Sequence, residues 1–122
     1  MDPSRLRSLC DPFDACPLEC DGLTHVLRHV LAVAGVEHRV FVGRLGPGAI
    51  FHLWIEAGPY RIDYRARMWV PAAPHGVTLA EEAEPGLYRG EPQDLEPLPV
   101  FVLEALAWPA PLHLAADDSR AA

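Results

Sequence analysis

Three side chains in the first half of the chain are of the types that cooperate in covalent catalysis, namely Cys20, His52 and Asp63. A thiol becomes a strong nucleophile when an imidazole shares its proton, and a carboxylate within hydrogen-bond reach fixes the tautomer of that imidazole. In these roles the three residues predict attack of sulfur on a carbonyl carbon and an acyl-enzyme intermediate. The chain contains no lysine, which excludes Schiff-base chemistry of a lysine amine.

A helix that begins at the cysteine is predicted from the spacing of the residues after it. Apolar side chains recur on one helical face between Cys20 and Ala34, and Gly35 provides a stop. Pro17 and the acidic residues on either side of Cys20 mark the N-terminal end. Because the unpaired amides make this end of a helix positive, the pattern favours a thiolate at Cys20.

The chain after this helix has the pattern of short β-strands. Apolar and polar residues alternate in residues 36–45, 49–57 and 59–66, with turn signals at residues 46–48 and 58–59 between them. A helix followed by an antiparallel meander predicts an α+β fold. In the second strand, His52, Trp54 and Glu56 share one face, and in the third strand Asp63 shares its face with the neighbouring arginines.

The hairpin between the second and third strands has a predicted register. A reversal centred on Ala57-Gly58 pairs residue 53 with 62 and residue 55 with 60 on the apolar face. The same register places His52 directly opposite Asp63, and it places Trp54 opposite Arg61 as a cation–π pair.

These segments resemble a known family. CDGLTHVLRHVLAVAGVEHRVFVG (residues 20–43), HLWIE (52–56) and YRIDY (60–64) are similar to the transglutaminase-like core of the papain-like cysteine hydrolases, of the bacterial cysteine peptidase type. That family combines a Cys that opens a helix, a Gly-hydrophobic-x-x-Arg segment, a His-x-Trp-hydrophobic-Glu strand and an Asp ending the next strand. The resemblance covers about residues 16–65.

The resemblance implies a single transglutaminase-like domain over residues 1–122, with the Cys helix packed on a small antiparallel sheet. It implies hydrolysis of amide or peptide bonds, with Cys20 as nucleophile, His52 as general base and acid, and Asp63 as the residue that orients the imidazole. The expected substrate is a peptide or protein, and no cofactor or metal is expected. From their positions in the sequence, Trp54 on the strand of His52 and Arg67 and Trp69 after Asp63 are the predicted substrate contacts.

Three alternatives stay open at this stage. One is acyl transfer to an amine, as in transglutaminases or arylamine N-acetyltransferases. Another is a catalytically inactive module that binds a peptide or protein, because no Trp, Tyr or Gln precedes Cys20 to complete an oxyanion hole. The third is a zinc site built from Cys10, Cys16, Cys20 and His25; otherwise Cys10 and Cys16 are assigned to packing.

Composition narrows the classes of partner. Seventeen acidic residues against ten basic ones give a net charge of −7, which disfavours nucleic acid and anionic membranes. The longest apolar stretch, residues 23–36, is interrupted by polar residues, and the N-terminus lacks the apolar core of a signal peptide. A cytoplasmic protein without membrane segments is therefore expected.

The second half of the chain differs from the first. Residues 66–122 are acidic and rich in proline, which predicts short pieces joined by turns. The chemistry is accordingly expected before residue 70. Residues 81–86 are predicted to form a solvated turn or helix end, and residues 115–122 a frayed tail.

Overall fold

A computed structural model of the protein describes residues 1–112, and this part of the chain forms three α-helices and a five-stranded antiparallel sheet. The helices are α1 (Pro3–Cys10), α2 (Cys20–Val33) and α3 (Val100–Ala107). The strands are β1 (Arg39–Leu45), β2 (Ile50–Ala57), β3 (Tyr60–Asp63), β4 (Gly76–Leu79) and β5 (Tyr88–Pro92). The α+β prediction is confirmed, and the predicted tail lies outside the described residues.

Helix α2 begins at Cys20, as predicted, and ends one residue before the predicted end. The six apolar residues of its predicted face are all buried, and Gly35 follows the helix with a φ of 72°. The face packs on one side of the sheet against apolar side chains from four strands. These are Val40, Ile55, Ala57, Ile62 and Val77.

Strands β1 to β4 form the predicted meander and its continuation, and β5 returns to pair with β1. The order across the sheet is β4-β3-β2-β1-β5. Strands β4 and β5 both come from the proline-rich half of the chain, where only short pieces joined by turns were predicted. Residues 81–86 are the exposed connection between them, in agreement with the predicted turn.

The predicted register of the β2–β3 hairpin is wrong by two residues. The observed pairs are Ile55 with Ile62 and Ala57 with Tyr60, so the loop consists of Gly58 and Pro59. A two-residue hairpin loop of this kind needs a positive φ at its first residue, and Gly58 has a φ of 56°. The predicted register would instead have placed proline in the ladder, where it has no N–H to donate. A shift of two residues leaves every side chain on its predicted face.

The sheet curls over the face that points away from α2. Neighbouring strands lie about 4.8 Å apart, so β3 and β5 would be separated by about 14 Å in a flat sheet. Yet the Tyr88 hydroxyl of β5 lies 2.7 Å from a carboxylate oxygen of Asp63 on β3. Gly43 of β1 pairs with Gly90 of β5 at the curl, and a Cβ on Gly90 would lie 2.8 Å from the Trp54 ring. Two glycines therefore allow the curled face to close.

Candidate active site

His52 and Asp63 come together on the curled face. His52 Nε2 lies 2.7 Å from Asp63 Oδ2, and both side chains are buried. In the observed register they are diagonal neighbours across β2 and β3, rather than directly opposed as predicted. Diagonal side chains on one sheet face are still within reach of each other when one of them is long, so the two-residue error leaves the predicted contact in place.

Asp63 is held by four hydrogen bonds. Oδ2 accepts from His52 and from the Tyr88 hydroxyl, each at 2.7 Å. Oδ1 accepts from the backbone N–H groups of Arg65 and Ala66 at 2.9 and 3.1 Å. An ionised carboxylate only accepts hydrogen bonds, so His52 Nε2 carries a proton. The second ring nitrogen, Nδ1, is therefore the one that can exchange a proton with another group.

Cys20 is a second neighbour of His52. Nδ1 is buried and makes no well-formed hydrogen bond within residues 1–112. Burial lowers the pKa of His52, but the hydrogen bond that its ring donates to Asp63, the proximity of the Cys20 thiol and the charges of both residues raise it to about 9. Since Asp63 occupies Nε2, Nδ1 is the ring nitrogen that remains available to the thiol.

The three thiols lie in different surroundings. Cys20 is partly exposed at the first position of α2, whereas Cys10 and Cys16 are buried in the core. Burial and the nearby Asp11 charge raise the pKa of Cys10 to about 12, and burial raises the pKa of Cys16. The Cys16 thiol donates to the carbonyl oxygen of Ala107. Cys10 and Cys16 thus pack as predicted.

Arg65 joins the segment before α2 to the end of β3. It was predicted to share a strand face with Asp63, but β3 ends at Asp63 and the Arg65 side chain turns toward residues 14–18. Its guanidinium donates to the carbonyl oxygens of Asp14, Cys16 and Leu18 and to the Asp14 carboxylate, over 2.6 to 2.9 Å. These bonds fix the chain that leads into Cys20 relative to the strand that carries Asp63.

Arg61, the other arginine beside Asp63 in sequence, also bonds elsewhere. Its guanidinium lies 3.4 Å from a Glu56 carboxylate oxygen, 3.2 Å from the Ala80 carbonyl oxygen and 4.0 Å from the centre of the Tyr88 ring. The cation–π pair predicted with Trp54 therefore forms with Tyr88 instead. Asp63 is left to serve His52.

Tyr88 is the member of this network that sequence reasoning missed. It lies in the acidic, proline-rich half of the chain, where no chemistry was expected, and it reaches Asp63 only because the sheet curls. Burial, and then the charge and hydrogen bond of Asp63, raise the pKa of Tyr88 above its ordinary value, so the hydroxyl keeps its proton. The one local signal is the sequence Tyr88-Arg89-Gly90, a β-type residue before a glycine that permits close approach.

The predicted substrate contacts have different fates. Trp54 is 2% exposed and packs between Phe41 and Tyr88, so the prediction that it contacts substrate is wrong. Trp54 lies on the curled face of the sheet, where the neighbouring rings cover it. Trp69 is half-exposed and lines a pocket beside Cys20. Arg67 lines a neighbouring depression, with its Nε donating to the Ala73 carbonyl oxygen.

The pocket beside Cys20 has a volume of about 150 Å³ and is bounded by Glu19, Asp21, Phe51, Met68 and Trp69. The neighbouring depression, of about 600 Å³, shares Glu19 and Met68 with it. A further cavity of about 560 Å³ lies between α2 and the chain that follows β5, and none of Cys20, His52 and Asp63 lines it. The chemistry of Cys20 places the candidate site at the smaller pocket rather than at this larger cavity.

Within residues 1–112, no three His, Cys, Asp or Glu side chains converge as metal ligands, so the zinc alternative built on Cys10, Cys16, Cys20 and His25 is wrong. The helices of this part of the chain include none that is both long and apolar enough to cross a membrane. Comparison with protein-family models, with curated proteins and with solved structures found no match to the chain.

Proposed function

We propose that the protein is a cysteine-dependent hydrolase of amide or peptide bonds with a transglutaminase-like, papain-like fold. The observation that carries the proposal is the relation of three groups: Asp63 holds Nε2 of His52 at 2.7 Å, and the partly exposed Cys20 lies close enough to the imidazole to raise its pKa. A Cys at the start of a helix, a His on β2 and an Asp at the end of β3 support the proposed fold.

In the first step, the Cys20 sulfur attacks the carbonyl carbon of the substrate, and the carbonyl π electrons move to oxygen. The first N–H groups of α2 have no acceptor within the helix. The Gly22 N–H is taken by Asp21 Oδ1, which leaves those of Cys20 and Asp21 for the oxyanion. These backbone N–H groups form the oxyanion hole, for which no Trp, Tyr or Gln side chain precedes Cys20.

In the second step, His52 donates its Nδ1 proton to the leaving nitrogen, and the carbon–nitrogen bond breaks to give a thioester on Cys20. A pKa of about 9 means that the ring carries this proton at neutral pH. Water then attacks the thioester as Nδ1 takes one of its protons, and the carbon–sulfur bond breaks to release a carboxylic acid. Asp63 keeps the ring oriented in both steps.

The proposal is tested with an activated ester that needs no knowledge of the natural substrate. Wild-type protein mixed with p-nitrophenyl acetate should release p-nitrophenolate in a burst, and peptide mapping should find one acetyl group on Cys20. The variant His52→Gln should acetylate Cys20 at least about tenfold more slowly near neutral pH. Cys10 and Cys16 provide internal controls within the same molecule.

Three outcomes separate the alternatives. Acetyl-enzyme that turns over in water supports the hydrolase, while turnover only after an amine is added would replace hydrolysis with acyl transfer. Equal modification of all three cysteines, or an unchanged rate in His52→Gln, would contradict the catalytic proposal and favour a binding module.

A further inference from the structure

We propose that the pocket beside Cys20 is a subsite that selects one uncharged apolar side chain of a peptide substrate, next to the bond that is cleaved. This inference rests on the proposed function, since it assigns a substrate class to the same cysteine. It is carried by the side chains at the mouth of the pocket, by the size of the pocket and by its charges.

Three large apolar side chains around Cys20 are exposed. Phe51 is 54% exposed, and Met68 and Trp69 are each 51% exposed. They come from two separate stretches of chain, the start of β2 and the turn that follows Asp63, yet they bound one pocket. The Arg44 guanidinium lies 5.5 Å from the centre of the Phe51 ring and leaves half of that residue uncovered. Apolar surface collected around a candidate nucleophile indicates contact with an apolar group.

The size of the pocket limits the group that it holds. Its volume of about 150 Å³ is roughly half of the smallest pockets that take a whole small molecule, and it equals the liquid volume of about five waters. A single medium or large side chain fills such a space. The rest of a peptide has room in the adjoining depression, which Arg67 also lines.

The charges at the pocket select against an acidic side chain. Glu19 and Asp21 both line it, on either side of Cys20, and both carboxylates are solvent-exposed. A carboxylate brought beside them would meet like charges at short range and would lose solvation in an apolar pocket. An acidic occupant is therefore disfavoured, and the apolar side chains at the mouth of the pocket favour an apolar one.

The test compares alkylation of Cys20 by three reagents that share one reactive group: iodoacetamide, N-(2-phenylethyl)iodoacetamide and N-(2-carboxyethyl)iodoacetamide. Rates at Cys20 are measured by mass spectrometry on the intact chain and mapped to the residue. Burial of the phenyl group should make the second reagent at least about tenfold faster than the first, after correction for the ratio with a free thiol. The third reagent should be the slowest.

Variants locate the effect in the pocket. Phe51→Ser and Trp69→Ser should each reduce the phenylethyl advantage severalfold, where the advantage is the ratio of the phenylethyl rate to the iodoacetamide rate of the same variant. Phe101→Ser removes a side chain that is 74% exposed on α3, outside the pocket, and should change neither rate. An equal loss in Phe101→Ser would contradict a local subsite.

Failure of this inference is distinguishable from failure of the proposed function. If iodoacetamide reacts no faster with Cys20 than with Cys10 and Cys16, then the proposed nucleophile is wrong. If Cys20 is the selectively reactive thiol but the phenylethyl reagent shows no advantage, then the nucleophile stands and the apolar subsite is overturned.

Discussion

The two faces of the β2–β3 hairpin are both buried, but they are buried in different ways. The face toward α2 consists of aliphatic side chains such as Ile55 and Ile62, which gain stability from burial alone. The curled face carries His52, Asp63 and Trp54, whose polar atoms must find partners when water is removed. Every nitrogen and oxygen of the His52 and Asp63 side chains has a partner except His52 Nδ1.

This contrast supports the proposed role of the curled face. An aliphatic face tolerates exchange of one apolar side chain for another of similar volume. A buried imidazole with one nitrogen left open costs stability, since an unpaired buried polar atom is unfavourable. The nitrogen without a partner is Nδ1, so the cost falls at the atom to which the proposed mechanism assigns proton transfer. Substitutions on one face should therefore affect catalysis, and substitutions on the other should affect stability.

The largest expected effect is that of Asp63→Asn. The amide keeps an oxygen for the backbone N–H groups of Arg65 and Ala66 but presents an NH₂ group to His52, which favours the tautomer with its proton on Nδ1. Turnover of p-nitrophenyl acetate should fall by on the order of a thousandfold or more, while far-ultraviolet circular dichroism stays that of the wild type.

Glu56→Gln is the matched control for this change. Glu56 shares the face of His52, and its carboxylate accepts hydrogen bonds from Trp54 and Arg61. The same exchange of carboxylate for amide should leave turnover within about twofold. A comparable loss in both variants would show that any change of charge on this face is damaging, and it would remove the argument for a specific role of Asp63.

The local pattern of the sequence predicts much of this hairpin, because side chains alternate between the two faces of a strand whatever the register. The prediction therefore brought His52 and Asp63 together even though its register was wrong by two residues. It failed where distant segments meet. Tyr88 reaches Asp63 through the curl of the whole sheet, and Arg65 bonds a loop some fifty positions earlier in the chain. Periodicity within a short window carries no information about either contact.

The burial of Trp54 also depends on a segment that is distant in sequence. Alternation along β2 correctly places it on the face of His52. Whether that face is open to a substrate or covered depends on β5, which pairs with β1 rather than with β2. The residues that do surround Cys20, such as Met68 and Trp69, lie outside regular strands, so strand alternation does not orient them. Of these, Trp69 was predicted as a substrate contact from its position in the sequence after Asp63.

The aliphatic face should respond in stability rather than in catalysis. Ile55 is 1% exposed against α2, and Ile55→Ala should lower the free energy of unfolding by about 2–5 kcal/mol, with Ile55→Val costing about 0.5–1.5 kcal/mol. Urea unfolding at fixed pH measures both. Turnover per folded molecule should match the wild type; a larger loss of turnover than Asp63→Asn shows would reverse the assignment of the two faces.

The raised pKa of His52 predicts how the stability of the fold depends on pH. The folded-state pKa of His52 is raised from 6.5 to about 9, so protonation favours the folded state. The stabilisation is complete below pH 6.5 and is lost as the pH rises through 9, by about 3 kcal/mol in all. Urea unfolding between pH 6.5 and 9.5 measures this loss. In His52→Gln most of the slope should disappear; an unchanged slope would assign it to other groups.

The smallest expected effect is that of Tyr88→Phe, and it tests the least predictable part of the curled face. The change removes the hydroxyl that lies 2.7 Å from Asp63 Oδ2 but keeps the ring that contacts Trp54 and Arg61. Asp63 then orients His52 with one hydrogen bond fewer, and turnover should fall by about fivefold to tenfold, which corresponds to about 1 kcal/mol. With one donor fewer, the carboxylate also interacts more strongly with the imidazolium, so the alkaline limb of the pH–rate profile should move to higher pH.

Tyr64→Phe is the matched control, because the Tyr64 hydroxyl also donates to a carboxylate, that of Asp11, away from His52. If both tyrosine variants lose turnover equally and neither moves the alkaline limb, Tyr88 acts through packing alone, and the polar network of the curled face ends at Asp63.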